Sequence, residues 1–222
     1  MDFVIAVDGR AASGKGTLGA MLAADYGLPY LDTGLLYRAV ALSVVQFGGD
    51  PGDAEAATEA AAALDIDALA DPQLRSVRLG EAASRVASHP AVRARLLQLQ
   101  RNFAGQPGGA VLDGRDIGTV IAPGAPAKLW VEATVEVRAE RRLRQLLAAG
   151  EAASLEEVLA DLRRRDARDA GREASPMQRA PDAVLLDTTD LSISGSADAA
   201  RRIVEAARAR RLSSRKGADR PG

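Results

Sequence analysis

A chain of 222 residues, 47% of them hydrophobic and 27% charged, holds ample apolar material for an α/β domain. The formal net charge of −1 argues against general binding of a nucleic-acid polymer, and the absence of cysteine excludes a disulfide framework and a thiolate metal site. No basic start leads into an apolar core and no uncharged run approaches membrane-spanning length, so the expectation is a soluble cytoplasmic protein without signal peptide or membrane partner.

The first predicted element carries the strongest signal. Phe3 to Val7 is a β-branched-rich apolar run that reads as a buried strand, and Leu18 to Ala24 is apolar at helical spacing. Between them, Gly9 and Gly14 bracket four residues and are followed by Lys15. That pattern lets the backbone curl with several N–H groups aimed at an anion, at a helix N-terminus, with a lysine able to span two phosphates. The general phosphate-loop pattern places Ser or Thr directly after the lysine as a magnesium ligand, but here Gly16 stands there and the hydroxyl comes at Thr17. A direct metal ligand from the loop is therefore not expected.

Gly27 to Leu31 predicts a second strand ended by Asp32-Thr33-Gly34, and Leu35 to Phe47 a helix broken by Gly48 to Gly52. Asp53 to Ala63 reads as a solvated, alanine-rich helix. Leu79 to Ser88 predicts another, and a further one starts near Pro90 and runs to about Ala104. His89, the only histidine, sits at their joint and reads as structural. Ala110 to Leu112 predicts the third strand, ending in Asp113-Gly114-Arg115-Asp116, and Ala127 to Val131 the fourth, with Trp130 packed. Thr134 caps a helix through Ala149, and Ser154 with Glu157 forms a capping box opening a helix to about Asp169. Ala183 to Leu186 is the fifth strand and Ser196 to Leu212 the last helix, with a tail from Ser213 expected to fray.

Strands alternating with helices predict a parallel sheet covered on both faces, with ligands gathered at its carboxyl edge. The unusual sequences all fall there: Gly9 to Thr17 after strand one, Asp32 to Gly34 after strand two, Asp113 to Asp116 after strand three. Charge is uneven as well. No Lys or Arg lies between Arg38 and Arg75, where there are seven acids, whereas Arg138 to Arg172 holds nine arginines. Arg38, Arg115 and Arg172, gathered opposite a phosphate loop, make a second anion site. Two anion sites suit phosphoryl transfer to a phosphate acceptor, which is already ionised and needs no general base. A GTPase would show Asn-Lys-x-Asp, absent at all three lysines, and the strands do not end in the Asp-Glu of motor ATPases.

Asp8-Gly9 with Gly14-Lys15-Gly16-Thr17, Leu31 to Arg38, Ala82 to Ala87, Leu112 to Val120 and Arg165 to Asp169, in this order from residue 3 to about 210, resemble the bacterial cytidylate kinases. The resemblance implies an adenylate-kinase-like phosphate-loop kinase: a five-stranded parallel sheet with helices on both faces and with acceptor-binding and lid insertions. It implies transfer of the γ-phosphate of ATP to CMP or dCMP, with Mg²⁺ held mainly by the ATP phosphates and water and no metal ligand assigned in the chain. ATP would meet Gly9, Arg10, Ala11, Ala12, Ser13, Gly14, Lys15, Gly16 and Thr17. Arg38, Arg115 and Arg172 would hold the acceptor phosphate, Thr33, Arg165 and Asp169 the ribose, and Ser84, Arg93 and Asp116 the cytosine. Lys15, Arg115 and Arg172 would carry the catalytic charge. One domain over 1–212 is expected, with an acceptor-binding region at about 35–105, a lid at about 150–175 and a disordered tail at 213–222. The partners would be the two nucleotides and the protein a monomer. The chain departs from the family pattern at Arg10, often Pro, at Thr33, often Ser, and at Ala170, often Arg. Residues 64–80 are too short and too poor in strand signals for the three-stranded insert some members carry.

Overall fold

The computed structural model describes residues 3–76 and 79–218. Its strands are β1 (Phe3–Gly9), β2 (Tyr30–Asp32), β3 (Gly109–Gly114), β4 (Ala127–Glu132) and β5 (Val184–Asp187). They pair in parallel in the order β2-β3-β1-β4-β5. Parallel neighbours require crossovers, in which lie α1 (Lys15–Tyr26), α2 (Thr33–Gln46), α3 (Ala54–Ala62), α4 (Leu79–Val86), α5 (Pro90–Ala104), α6 (Val135–Ala148) and α7 (Leu155–Ala170), while α8 (Ile193–Ala218) follows the last strand. Alternation along β1 sends Val4 and Ala6 into a core with α2, α4 and α5, and Ile5 and Val7 into a core with α1 and α8. Helices thus cover both faces, as expected. Among the described residues no helix is long and apolar enough to cross a membrane.

Several boundaries differ from the sequence expectation for local reasons. α1 begins at Lys15, not Leu18, because Gly14, at φ +93°, turns the chain so that its carbonyl accepts the Leu18 N–H. The predicted second strand loses Gly27 and Leu28 to the cap of α1: Gly27 is left-handed and donates to the Ala24 carbonyl while Leu28 donates to that of Ala23, a Schellman closure. α2 starts at Thr33 because the Asp32 carboxylate caps it, accepting the Gly34 N–H at 2.9 Å. The described part of 64–80 forms two 3-10 turns (Ile66–Ala70, Pro72–Arg75) and the start of α4, with no strand. A π-helical turn at Ile117–Ile121, unpredicted, follows β3. α8 starts three residues early and continues through 213–218, part of the stretch expected to fray; 219–222 lie outside the described residues.

Candidate active site

The phosphate loop is fastened at its start by a close approach. A Cβ on Gly9 would stand 2.1 Å from the Val131 carbonyl oxygen, so only glycine lets the loop leave β1 against β4. Ala12 is left-handed at φ +59°, and Ser13 is fully buried with no hydrogen-bond partner for its hydroxyl. Lys15, Gly16 and Thr17 form the first turn of α1, whose N–H groups have no carbonyl partner of their own. Gly16 also has a steric reason: a Cβ there would meet the Asp113 carboxylate at 3.3 Å and the Tyr30 hydroxyl at 3.8 Å. Tyr30 donates to Asp113 Oδ2 at 2.5 Å and lies 3.2 Å from the Gly16 carbonyl. Burial, with Arg115 nearby, pulls the Lys15 ammonium down to about 8, while Asp113 and Asp32 oppose that fall. Burial, with Asp32 beside it, lifts the Asp113 carboxyl.

Lys15 lines a cavity of about 130 Å³ together with Thr33, Arg38, Ser84, Arg93, Arg115, Asp116, Arg165, Asp169 and Arg172, so all nine residues expected at the acceptor meet in one place. They arrive from α2, α4, α5, the turn after β3, and α7 with its exit. Within it two carboxylates pair with arginines, while Nε of Arg93, Arg165 and Arg172 is buried with no hydrogen-bond partner. Asp169 accepts from Ser84 Oγ at 3.1 Å, from Arg115 Nε at 3.1 Å and from Arg172. Three guanidinium groups nearby hold its carboxyl below the carboxylate range despite its burial. Arg93 pairs with Asp116, both buried, and lies 5.5 Å over the Tyr37 ring. Arg38 donates to the carbonyls of Leu74 and Ser76 at 2.9 and 2.6 Å, and Thr33 to that of Asp113 at 2.7 Å. The volume falls below the roughly 300–1,000 Å³ typical of small-molecule sites.

A second cavity, about 790 Å³, opens beside the loop against Ala12, Ser13, Gly14 and Thr17, and runs between α6 and the loop joining β5 to α8. Gly9, Arg10, Ala11 and Gly16 line neither cavity. Arg10 instead reaches Asp166 of α7 at 3.3 Å, which Arg138 of α6 also grips at 2.7 Å while donating to the Ala11 carbonyl at 3.2 Å. His89, set before α5, lies 3.1 Å from the Pro51 carbonyl, and its place is structural.

Sequence reasoning missed several residues. Arg141 donates to the Ser13 carbonyl at 3.3 Å and to Thr188 Oγ1 at 3.0 Å, and Thr188 itself donates to the Ser13 carbonyl at 3.0 Å, tying α6 and β5 to the loop. Thr188 directly follows β5, so the carboxyl-edge rule carries a signal for it that the sequence reading did not use. Arg142 closes on the acceptor arginines: a Cβ on Gly80 would stand 3.0 Å from both Arg142 Nη2 and Arg165 Nη1 and 3.6 Å from Arg38 Nη2. Burial beside Arg165 and Arg38 pulls Arg142 down to about 10. Three guanidinium groups from α2, α6 and α7 converging on one point make a place for an anion.

Residues 5–208 match the protein family described as cytidylate kinase. The chain is 61% identical over 210 residues to the cytidylate kinase of Caulobacter sp. (strain K31), covering 95% of this chain and 97% of that one. It is 60% identical over 208 residues to the cytidylate kinase of Xanthobacter autotrophicus (strain ATCC BAA-1158 / Py2), covering 94% and 100%. An uncharacterized protein from Eubacterium ventriosum ATCC 27560 has a similar fold, with a TM-score of 0.55 at 15% identity over 93% of this chain and 99% of that one.

Proposed function

The chain belongs to the cytidylate kinase family and passes phosphate from ATP to CMP or dCMP, and we propose that the transfer runs between the two cavities, with the phosphate loop as their common wall. One observation carries this reading: Lys15 and nine acceptor-side residues share one cavity, while four other loop residues open onto a nucleotide-sized second one. ATP would lie in the larger cavity with its phosphates on the loop N–H groups. The acceptor phosphate would take Arg38, Arg115 and Arg172, with Arg142 and Arg165 adjoining. Thr33, Arg165 and Asp169 would hold the ribose.

An oxygen of the acceptor phosphate attacks the γ-phosphorus; the bond to the β–γ bridging oxygen breaks and its electron pair leaves on ADP. The attacking oxygen is already anionic near neutral pH, so no base is required. Lys15, Arg115 and Arg172 balance charge that shifts from the attacking to the leaving side, and alignment supplies much of the remainder. The oxygen donors beside Lys15 suit a hard divalent cation, and Asp113, lifted by burial beside Asp32, is a carboxyl such a cation would relieve. Asp113 and Asp32 would hold Mg²⁺ through its water, and neutralisation of the β- and γ-oxygens is the chemistry the ion supplies when bound.

Residues of about 35–105 serve as the acceptor-binding region and those of about 150–175 as a lid, with Asp166 latching α7 to the loop through Arg10. A cytoplasmic monomer with no partners beyond its substrates is the setting we propose. The near-neutral net charge supports the absence of a polymer substrate.

Base choice tests the reading. Cytosine presents an amino donor beside acceptors at its N3 and O2, which suits Asp116 for the amino group and Arg93 and Ser84 for the acceptors. Uracil would set a carboxylate against an acceptor and a guanidinium against N3–H, and sites of this kind discriminate by roughly 10⁴. ADP release should therefore be far faster with CMP or dCMP than with UMP or AMP, and Asp116→Asn should narrow the CMP-to-UMP ratio of kcat/KM. An unchanged ratio in that variant would remove Asp116 from base reading.

A further inference from the structure

Asp8, the residue before the phosphate loop, has no part in the mechanism above, yet it is 4% exposed and its two carboxylate oxygens are fully used. Oδ1 accepts the N–H of Ile117 at 2.8 Å, and Oδ2 that of Gly118 at 2.7 Å. These are the first two residues of the π-helical turn, and they directly follow Arg115 and Asp116. The cap residue, Asp116, accepts the Val120 and Ile121 N–H groups with its carbonyl but makes no side-chain bond to the turn, its carboxylate being turned onto Arg93, so the side-chain cap comes from Asp8 instead. A π-helical turn closes with fewer well-placed bonds per residue than an α-helix and is rare except where a site requires it. The strand pairing adds leverage, since Asp8 lies opposite Gly114 in the β1–β3 register. One buried side chain on the central strand therefore sets the angle at which the neighbouring strand delivers an arginine and an aspartate into the cavity.

We propose that Asp8 is a positioning residue for acceptor recognition: by accepting the Ile117 and Gly118 amides it holds the π-helical turn, and through it fixes where Arg115 and Asp116 meet the phosphate and base of the pyrimidine nucleotide. The groups that face Asp8 are Asp116 and Arg115 from the end of β3 and the turn, and the stem of Lys128 from β4, since a Cβ on Gly118 would meet Lys128 Cδ at 3.2 Å and Asp8 Oδ2 at 3.3 Å. Lys128 is itself engaged by Asp182 and the Pro123 carbonyl. Burial, aided by Asp116, raises the Asp8 carboxyl to about 7 against the two amides and Arg115 that lower it. Its protonation state, and with it the grip on the turn, changes close to neutral pH.

The inference rests on the proposed base-reading site, and the two are separated in one set of assays. Asp8→Asn keeps the shape but turns an NH₂ toward one of the two amides. The KM for CMP should rise by roughly 10- to 100-fold, the loss of a charge-assisted buried bond. The CMP-to-UMP ratio of kcat/KM should narrow, and the KM for ATP should stay within about twofold. Asp8→Glu, which restores the charge one methylene too far, should fall between the two. A merely structural role would lower the unfolding temperature and leave the ratio at its wild-type value, and that result overturns the proposal. If neither variant yields folded enzyme, the wild type carries the test. The ratio, in which ionisation of the shared acceptor phosphate cancels, should fall as pH drops through about 7, and a flat ratio from about pH 6 to about pH 8.5 overturns the proposal. A wild-type enzyme that prefers UMP would instead refute the base-reading site on which the inference rests.

Discussion

Asp169→Asn tests the charge arrangement of the acceptor cavity. Asp169 is 2% exposed and accepts from Ser84, Arg115 and Arg172, with Arg165 close enough to help depress its pKa. Removing the carboxylate leaves Arg115, Arg172 and Arg165 facing one another away from bulk water. Breaking one side of a buried pair costs about 3–5 kcal/mol. In a chain of this length about 2–4 °C of unfolding temperature goes with each kcal/mol, so a fall of about 6–20 °C is expected. An added anion should repair the loss. Inorganic phosphate at about 100 times its Kd returns about 2.7 kcal/mol. The variant should gain more than the wild type at any one phosphate concentration, because in the wild type phosphate must displace Asp169 from the same arginines. The assay is thermal unfolding followed by circular dichroism, with and without phosphate. The pH dependence follows by linkage: the folded-state pKa of Asp169 is depressed, so its contribution is present above the unfolded value of about 3.9 and lost as pH falls through the lower folded value. The difference between variant and wild type should therefore persist at mildly acidic pH. A variant melting within about 2 °C of the wild type, or gaining no more from phosphate, refutes the reasoning.

Lys15→Met should lower kcat by roughly 10³-fold or more while KM for CMP changes far less, because the charge acts on the transferring phosphoryl group; near-normal kcat would remove Lys15 from the chemistry. Since burial brings Lys15 to about 8, kcat/KM for ATP in the wild type should decline as pH rises through that value and the ammonium is lost, and a flat alkaline limb would contradict the assignment. Gly16→Ser, which restores the more general phosphate-loop pattern, should reduce activity, because its Cβ meets Asp113 at 3.3 Å and its hydroxyl must find room beside Tyr30; Tyr30→Phe in the same chain should recover part of the loss. Gain of activity in the single Gly16→Ser variant would show that the space is not limiting.

The sheet and most of the site were legible because each rests on a short, local signal. Five apolar runs predict five strands, and the carboxyl-edge rule brings Lys15, Arg38, Arg115 and Asp116 together from the sequence alone. What escaped depends on partners far apart in sequence. The place of Arg10 comes from Asp166, and the reason for Gly16 from Tyr30 and Asp113. Arg142 was one arginine among nine in an arginine-rich stretch, and only the approach of α6 to Gly80 singles it out. The π-helical turn had no composition of its own, since Ile117-Gly118-Thr119-Val120-Ile121 suits a strand as well as a helix, and a carboxylate on β1 decides the matter. α2 starts two residues before the sequence expectation because Asp32, besides ending β2, caps the next helix.

The register of the central strand has a consequence during synthesis. Phe3 pairs with Gly109 and Ile5 with Ala127, so β1, which launches the phosphate loop, finds neither neighbour until more than a hundred further residues have been made. At about 5–20 residues per second the ribosome holds this strand without its sheet for about 5–20 s. Over that interval α1 covers the face of Ile5 and Val7, and α2, α4 and α5, all made before β3, cover the face of Val4 and Ala6, so what waits is the pairing of both edges of the strand. The nucleotide-binding end of the enzyme is thus translated first and completed late, with the backbone edges of its first strand unpaired in between.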